Sequence, residues 1–114
     1  MNNENSYSVI LPTLNEVGHI NSLIKDISNN FEKLNIEYEI IVVDDNSLDG
    51  TVEEISKVKN SHIIIHKRKF KKKSLVDSLN EGINLSNKEN IIWMDADYSH
   101  PPDYIEEFIK LKNN

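Results

Sequence analysis

Cysteine is absent from the 114 residues. That excludes a disulfide framework and any zinc site built on thiolates, and it leaves the redox compartment open. Glycine and proline appear three times each. So few glycines cannot make a dinucleotide-binding fingerprint, and there is no glycine-rich phosphate loop, G-x-S-x-G elbow or H-E-x-x-H pair. Long apolar stretches are missing too. The longest uninterrupted runs hold four residues, against the roughly 20 needed to span a bilayer. The opening MNNENSYS is polar and lacks an apolar h-region, which speaks against a secretory signal. Positive charge is in deficit, with 13 Lys and Arg against 19 Asp and Glu and a net charge of −6. That weighs against a nucleic-acid partner. The expectation is a cytoplasmic protein, soluble or peripheral at the inner face of the membrane.

What is present is a regular alternation of short β-like runs and longer amphipathic segments, at a length that suits one domain with one core. YSVIL (7–11), closed by Pro12, reads as a strand. Val17, Ile20, Leu23, Ile24, Ile27, Phe31 and Leu34 then recur at three- and four-residue steps, giving one apolar face on a long helix. YEIIVV (38–43) suits a strand covered on both faces. A helix over about 50–59 follows, with Val52, Ile55 and Val58 on one side and Asp49 as a candidate N-cap. HIII (62–65) is the third strand, and Ser74 is placed to cap a helix carrying Leu75, Leu79 and Ile83. NIIWM (90–94) is the fourth strand. Ser99 and the prolines behind it open a last helix bearing Ile105, Phe108 and Ile109. This βαβαβαβα pattern predicts an α/β fold with a parallel sheet and helices on both faces.

Ligands of open α/β sheets bind beyond the carboxyl ends of the strands, so the residues just after each strand carry the functional information. These are PTLNE, DDNS, HKRK and DADYS. Asp95 and Asp97 fall on the same side if the segment stays extended. Two such close carboxylates repel unless a cation lies beside them, and a hard divalent ion with oxygen ligands, Mg²⁺ or Mn²⁺, answers that need. With eight aspartates in the chain a D-x-D tripeptide alone is weak, and one of the pair could instead cap the last helix. Asp44 and Asp45 end the second strand inside DDNSLDG, which has the residues of a side-chain-bonded turn. One of them has that structural role, and the other is a candidate to bind a base or ribose. HKRKFKKK (66–73) concentrates six of the basic residues. It reads as a solvated loop, a diphosphate contact or a site for an anionic membrane surface. His100 stands beside the aspartates as a metal or phosphate candidate or a plain helix-entry residue, and His19 and His62 receive no role.

Taken together, SVILPTLNE, YEIIVVDDNSLDGT, NEG and IIWMDADYSHPP resemble the ordered motifs of the family 2 GT-A glycosyltransferases, most of all the polyprenyl-phosphate mannosyltransferase branch. The resemblance implies a Rossmann-like GT-A half-domain with a four-stranded parallel sheet in the order 3-2-1-4, a nucleotide-diphosphate sugar as donor and a divalent metal. It implies that Pro12, Leu14 and Glu16 contact the nucleotide and that Asp44 or Asp45 holds base and ribose. Asp95 and Asp97 fall on the metal-binding D-x-D as the catalytic pair, with Ser99 adding to the metal or phosphate shell. Arg68 and Ala96 complete the expected nucleotide-binding set. Three departures stand out. Leu14 replaces an aromatic residue, Ser74 and Val76 replace glycines, and the chain stops soon after the D-x-D where the family continues.

Two functions are expected on this basis. The first is a minimal glycosyltransferase moving a hexose from GDP-mannose or a UDP-hexose to an acceptor such as a polyprenyl phosphate. The second is a non-catalytic nucleotide-sugar binder or one subunit of a split enzyme. The fourth strand would then be an apolar sheet edge, which predicts a homodimer or a partner subunit over it. A third reading takes MDADYS as the nucleophile segment of a haloacid-dehalogenase phosphatase, and the short remainder of the chain weighs against it.

Overall fold

Both faces of the second predicted strand are apolar, so its side chains must be buried above and below one sheet. The computed structural model shows how this is achieved. It describes residues 5–69, 72–97 and 103–112. Strands and helices alternate as β1 (Tyr7–Thr13), α1 (Ile20–Lys33), β2 (Tyr38–Asp44), α2 (Thr51–Ser56), β3 (Ile63–Lys67), α3 (Leu75–Leu85), β4 (Asn90–Trp93) and α4 (Tyr104–Lys112). The four strands form one parallel sheet in the order β3-β2-β1-β4. The expected order is the observed one.

The two-residue period of the strands divides the core into two layers. Tyr7, Val9 and Leu11 of β1 and Tyr38, Ile40 and Val42 of β2 pack with Ile20, Leu23, Ile24, Ile27 and Phe31 of α1. Ile55 of α2 and Ile105 and Ile109 of α4 belong to the same layer. On the other face Ile10, Ile41 and Val43 meet Leu79 and Leu85 of α3. Each fully buried aliphatic side chain contributes about 1.5–3 kcal/mol over its exposed state. The α1 face carries more of them and dominates the core.

Several boundaries differ from expectation for local reasons. β1 runs through Pro12 rather than stopping there. The Ile10 carbonyl accepts the Met94 N–H, so two residues on Pro12 turns the same way, toward a neighbour whose pairing has already ended at Ile10 and Trp93. The missing proline N–H therefore breaks no ladder bond. α2 has six residues, not ten, and Val58 lies exposed beyond it. Gly50 takes the N-cap position with φ 93°, while Asp49 accepts the Thr51 N–H at 3.0 Å from one residue earlier. α1 begins at Ile20, so Val17 precedes it in an exposed turn. It ends with Asn35 in the left-handed region at φ 56°. The Asn35 and Ile36 amides return to the Glu32 and Phe31 carbonyls, closing the last turn as a Schellman motif.

Candidate nucleotide and metal site

The chain reverses direction across the sheet at β1: α1 leads to β2 on one side, and α3 carries the chain back to β4 on the other. Beyond the carboxyl ends of these strands opens a cavity of about 280 Å³. Pro12, Thr13, Leu14 and Glu16 line it from the end of β1, Asp45 from β2, and Asp95, Ala96 and Asp97 from β4. Lys73, Ser74, Leu75 and Ser78 close it from the start of α3. A ligand site at such a switch point is the general rule for doubly wound sheets.

The first two strand ends are built as one unit. The Thr13 and Asp44 registers coincide, and the Thr13 hydroxyl donates to Asp44 Oδ1 at 2.7 Å. Ser47 donates its hydroxyl to the same oxygen at 2.6 Å and its N–H to Oδ2 at 2.9 Å. Further on, the Asn15 N–H meets Ser47 Oγ, the Leu48 N–H meets Asn15 Oδ1, and the Val17 N–H meets Asp49 Oδ2. The Glu16 N–H donates to Thr51 Oγ1 at 2.9 Å. Asn15 and Asn46 adopt positive φ, which Asn tolerates better than most residues. The side chains of PTLNE and DDNSLDGT thus satisfy each other's backbone, and both loops are held at the cavity rim.

Of the adjacent aspartates, Asp44 takes the turn role. Its carboxylate is buried among these donors and does not line the cavity. Asp45 faces the cavity. Its Oδ1 accepts from Arg68 Nη1 at 2.8 Å and its Oδ2 from the Ser74 N–H at 3.1 Å. Arg68 lies beneath this wall instead of in the cavity. It also donates from Nε to Glu81 Oε2 at 2.8 Å and pairs with Asp77 at 3.5 Å, while His66 bonds the other Glu81 oxygen at 2.7 Å. The hydrogen bond that Arg68 donates to Glu81 pushes the Arg68 pKa up, and the bonds to Arg68 and His66 hold the Glu81 carboxyl below its usual range.

Asp95 and Asp97 both line the cavity, but strand alternation does not put them there. β4 ends at Trp93 and the chain turns at Ala96 and Asp97. Glu16 joins them on the same side. Burial raises its pKa, His19 opposes this with a hydrogen bond and its charge, and the charges of Asp97 and Asp49 raise it further. The His19 Nε2 contact is 2.8 Å. Among the described residues no group of three or more His, Asp or Glu is gathered to hold a metal ion. Two carboxylates are nevertheless the donor set that Mg²⁺-like ions use when phosphates and water complete the shell, so the residues present fit an ion that arrives with an anionic ligand.

Six of the expected nucleotide-binding residues therefore share the cavity: Pro12, Leu14, Glu16, Asp45, Asp95 and Ala96. Asp44 and Arg68 support it from behind, and Ser99 and His100 lie outside the described residues. Thr13, Leu75 and Ser78 line it without having been named as site residues, and Lys73 comes from the basic run for which a diphosphate contact was one reading. Ser78 was within reach of sequence reasoning, because it stands one helical turn after the capping Ser74. Of the two departures from glycine, Ser74 borders the cavity and accepts the Asp77 N–H, while Val76 points outward.

An open parallel sheet with acidic residues gathered at the switch point defines a doubly wound α/β protein. Comparison with known proteins narrows the class. The family model described as Glycosyl transferase family 2 matches residues 8–114, and the chain belongs to that family. It is 36% identical over 107 residues to a dolichol-phosphate mannosyltransferase of Pyrococcus furiosus, covering 94% of this chain and 30% of that protein. It is 30% identical over 110 residues to an undecaprenyl-phosphate 4-deoxy-4-formamido-L-arabinose transferase of Proteus mirabilis, covering 92% and 33%. The chain thus spans about a third of the length of these curated relatives. Among solved structures it resembles residues 1–349 of S. aureus TarS, with a TM-score of 0.79 and 23% identity over 95% of this chain and 32% of that one. It also resembles the mannosyltransferase PcManGT of Pyrobaculum calidifontis in complex with GDP-Man and Mn²⁺, with a TM-score of 0.77, 23% identity, and the same two coverages. At these identities the structural likeness establishes the fold.

Proposed function

We propose that the cavity binds a nucleotide-diphosphate sugar together with Mg²⁺ or Mn²⁺, and that the chain serves hexosyl transfer to an acceptor such as a polyprenyl phosphate. The carrying observation is the convergence of Asp45 from β2 with Asp95 and Asp97 from β4 on one cavity at the switch point. Asp45, held in place by Arg68 and the Ser74 amide, presents a fixed acceptor for ribose hydroxyls or a base edge. Pro12 and Leu14 offer the adjoining apolar surface. Asp95 and Asp97 would hold the cation, which supplies charge neutralisation of the diphosphate leaving group. A phosphate acceptor is anionic already and needs little general-base help.

The non-catalytic alternative, a nucleotide-sugar binder or one subunit of a split transferase, keeps the same site. It is favoured by the state of β4. This strand is an edge, with Ile91 and Trp93 about half exposed, and Tyr104 and Phe108 of α4 continue the apolar surface. A homodimer or a partner subunit over this edge is part of the proposal.

Calorimetry with GDP, UDP, GDP-mannose and UDP-glucose, each with and without Mn²⁺, tests the site. Metal-dependent binding that is lost in Asp97→Ala is the expected result, and no binding of any of the four sinks both readings. A transfer assay with polyprenyl phosphate then separates enzyme from binder, and sedimentation reads the oligomeric state.

A further inference from the structure

The sheet has two edges, β3 and β4, and they are unequal. β3 ends in His66 and Lys67 and leads into the lysines of the basic run. Lysine on an edge strand is a common device against pairing with another chain. β4, Asn90–Trp93, carries no charge and no proline. Its main chain is also ready to pair. The Asn90 and Met94 amides turn toward β1, to the Ser6 and Ile10 carbonyls. With a period of two, the N–H and C=O groups of Ile91 and Trp93 turn away from β1, to a side where no strand lies among the described residues.

Apolar side chains flank this row on both faces of the sheet. Ile91 and Trp93 lie on the α3 side, where Trp93 is in register with Ile10, and are 45% and 44% exposed. On the other face Tyr104, Phe108 and Leu111 follow one another at four- and three-residue steps along α4, at 58%, 43% and 75% exposure. Strand and helix together line an apolar groove of about 340 Å³. Trp93, Tyr104 and Phe108 are each about half exposed, at ~150–250 Å² per aromatic side chain. With Ile91 and Leu111 beside them, two copies bring roughly 1,000 Å² together, the size a specific interface needs.

We infer that a second copy of this chain covers β4, the two strands pairing antiparallel about a two-fold axis at Ile92. The outward main-chain groups choose this register. An antiparallel pair is hydrogen-bonded where outward-facing residues stand opposite each other. Ile91 opposite Trp93 of the second copy, with its symmetry mate, uses both such residues of both chains. One patch then serves each copy, as a closed two-fold contact requires, and this self-match selects a second copy over a different subunit. The axis also keeps Tyr104 and Phe108 of both copies on one face of the joined sheet. The inference rests on the covered edge proposed above and not on the nucleotide site.

Light scattering at micromolar concentration should give twice the 13.2 kDa of one chain, and the monomer mass in Trp93→Lys and Phe108→Lys, with amide NMR confirming that both variants stay folded. The register has its own test, because the chain holds no other cysteine. Residues facing each other at the axis form a non-hydrogen-bonded pair with Cα atoms about 4.5 Å apart, within disulfide reach. Ile92→Cys should therefore cross-link as a dimer on oxidation, while Lys57→Cys, at an exposed position beyond α2, should not. This cross-link decides the matter even where Trp93→Lys fails to fold. A monomeric unaltered chain overturns the inference and leaves the edge to a different subunit. A dimer indifferent to Phe108→Lys, or equal cross-linking by both cysteine variants, overturns it as well. Calorimetry keeps the two ideas apart. Nucleotides bound by monomeric Phe108→Lys support the cavity independently of the edge, and a dimer that binds none of them supports the edge without the nucleotide reading.

Discussion

Arg68 meets three carboxylates, and their exposures rank what each contact is worth. The guanidinium is 2% exposed, while Asp45, Glu81 and Asp77 are 10%, 37% and 61% exposed at the side chain. Removal of Arg68 lets Asp77 and most of Glu81 return to water, but Asp45 stays enclosed with one amide for a partner. Breaking a buried pair from one side costs about 3–5 kcal/mol, whereas an exposed pair is worth about 0–1 kcal/mol. Arg68→Met should therefore destabilise the fold by about 3 kcal/mol or more, nearly all of it through Asp45. Double-mutant cycles by urea unfolding make this specific. The Arg68→Met and Asp45→Asn pair should couple by about 2–3 kcal/mol, the pair with Glu81→Gln by about 1, and the pair with Asp77→Asn by less than about 0.5. Arg68→Met should also weaken nucleotide binding, because Asp45 loses its orientation and α3 its tie to β2. Equal couplings for all three carboxylates, or the largest for Asp77, would refute the argument that burial sets the strength of these pairs.

Three further outcomes are expected. A Cβ added at Gly82 would lie 2.6 Å from Ile10 Cγ2 and 3.2 Å from Val43 Cγ2. Gly82→Ala should thus lose about 1–2 kcal/mol, since overpacking of about 1–3 kcal/mol outweighs a helix-propensity gain of up to about 1. In an Ile10→Ala background the same change should become stabilising, as thermal unfolding would show. The raised Glu16 pKa means that the folded state holds a proton more tightly than the unfolded chain. The stabilisation is full below the unfolded pKa and is lost as pH rises through the folded one, so stability should fall with pH across that window. Urea midpoints measured against pH should lose this slope in Glu16→Gln, and Asp97→Asn should lower the Glu16 pKa read by carboxyl-carbon NMR. Ser74→Ala should cost about 1 kcal/mol through loss of the α3 cap, and Ser74→Gly only a few tenths, measured by chemical denaturation.

Much of this architecture was legible because local periodicity and burial agree. The apolar spacing from Ile20 to Phe31 can face only one way, and IIVV has no polar face to offer water. The strand order follows from an alternating pattern and the family resemblance. The carboxylates at the strand ends were visible for the same reason, since a charge directly after a buried run must emerge at the sheet rim.

What the chain order could not decide was the division of labour among neighbours. Asp44 and Asp45 are adjacent and chemically identical. The register that sets Thr13 beside Asp44 turns the first into a structural brace, and the return of Arg68 beneath α3 turns the second toward the cavity. Arg68 was expected among the nucleotide-binding residues, and burial among three carboxylates sets it behind the cavity wall instead. Ser78 was an ordinary helix residue until the crossing of α3 over β1 and β2 placed it on the cavity wall. Helical and strand periods specify which face a side chain occupies, because they depend on backbone geometry alone. Which partner waits on that face depends on segments tens of residues away, and only their packing supplies it.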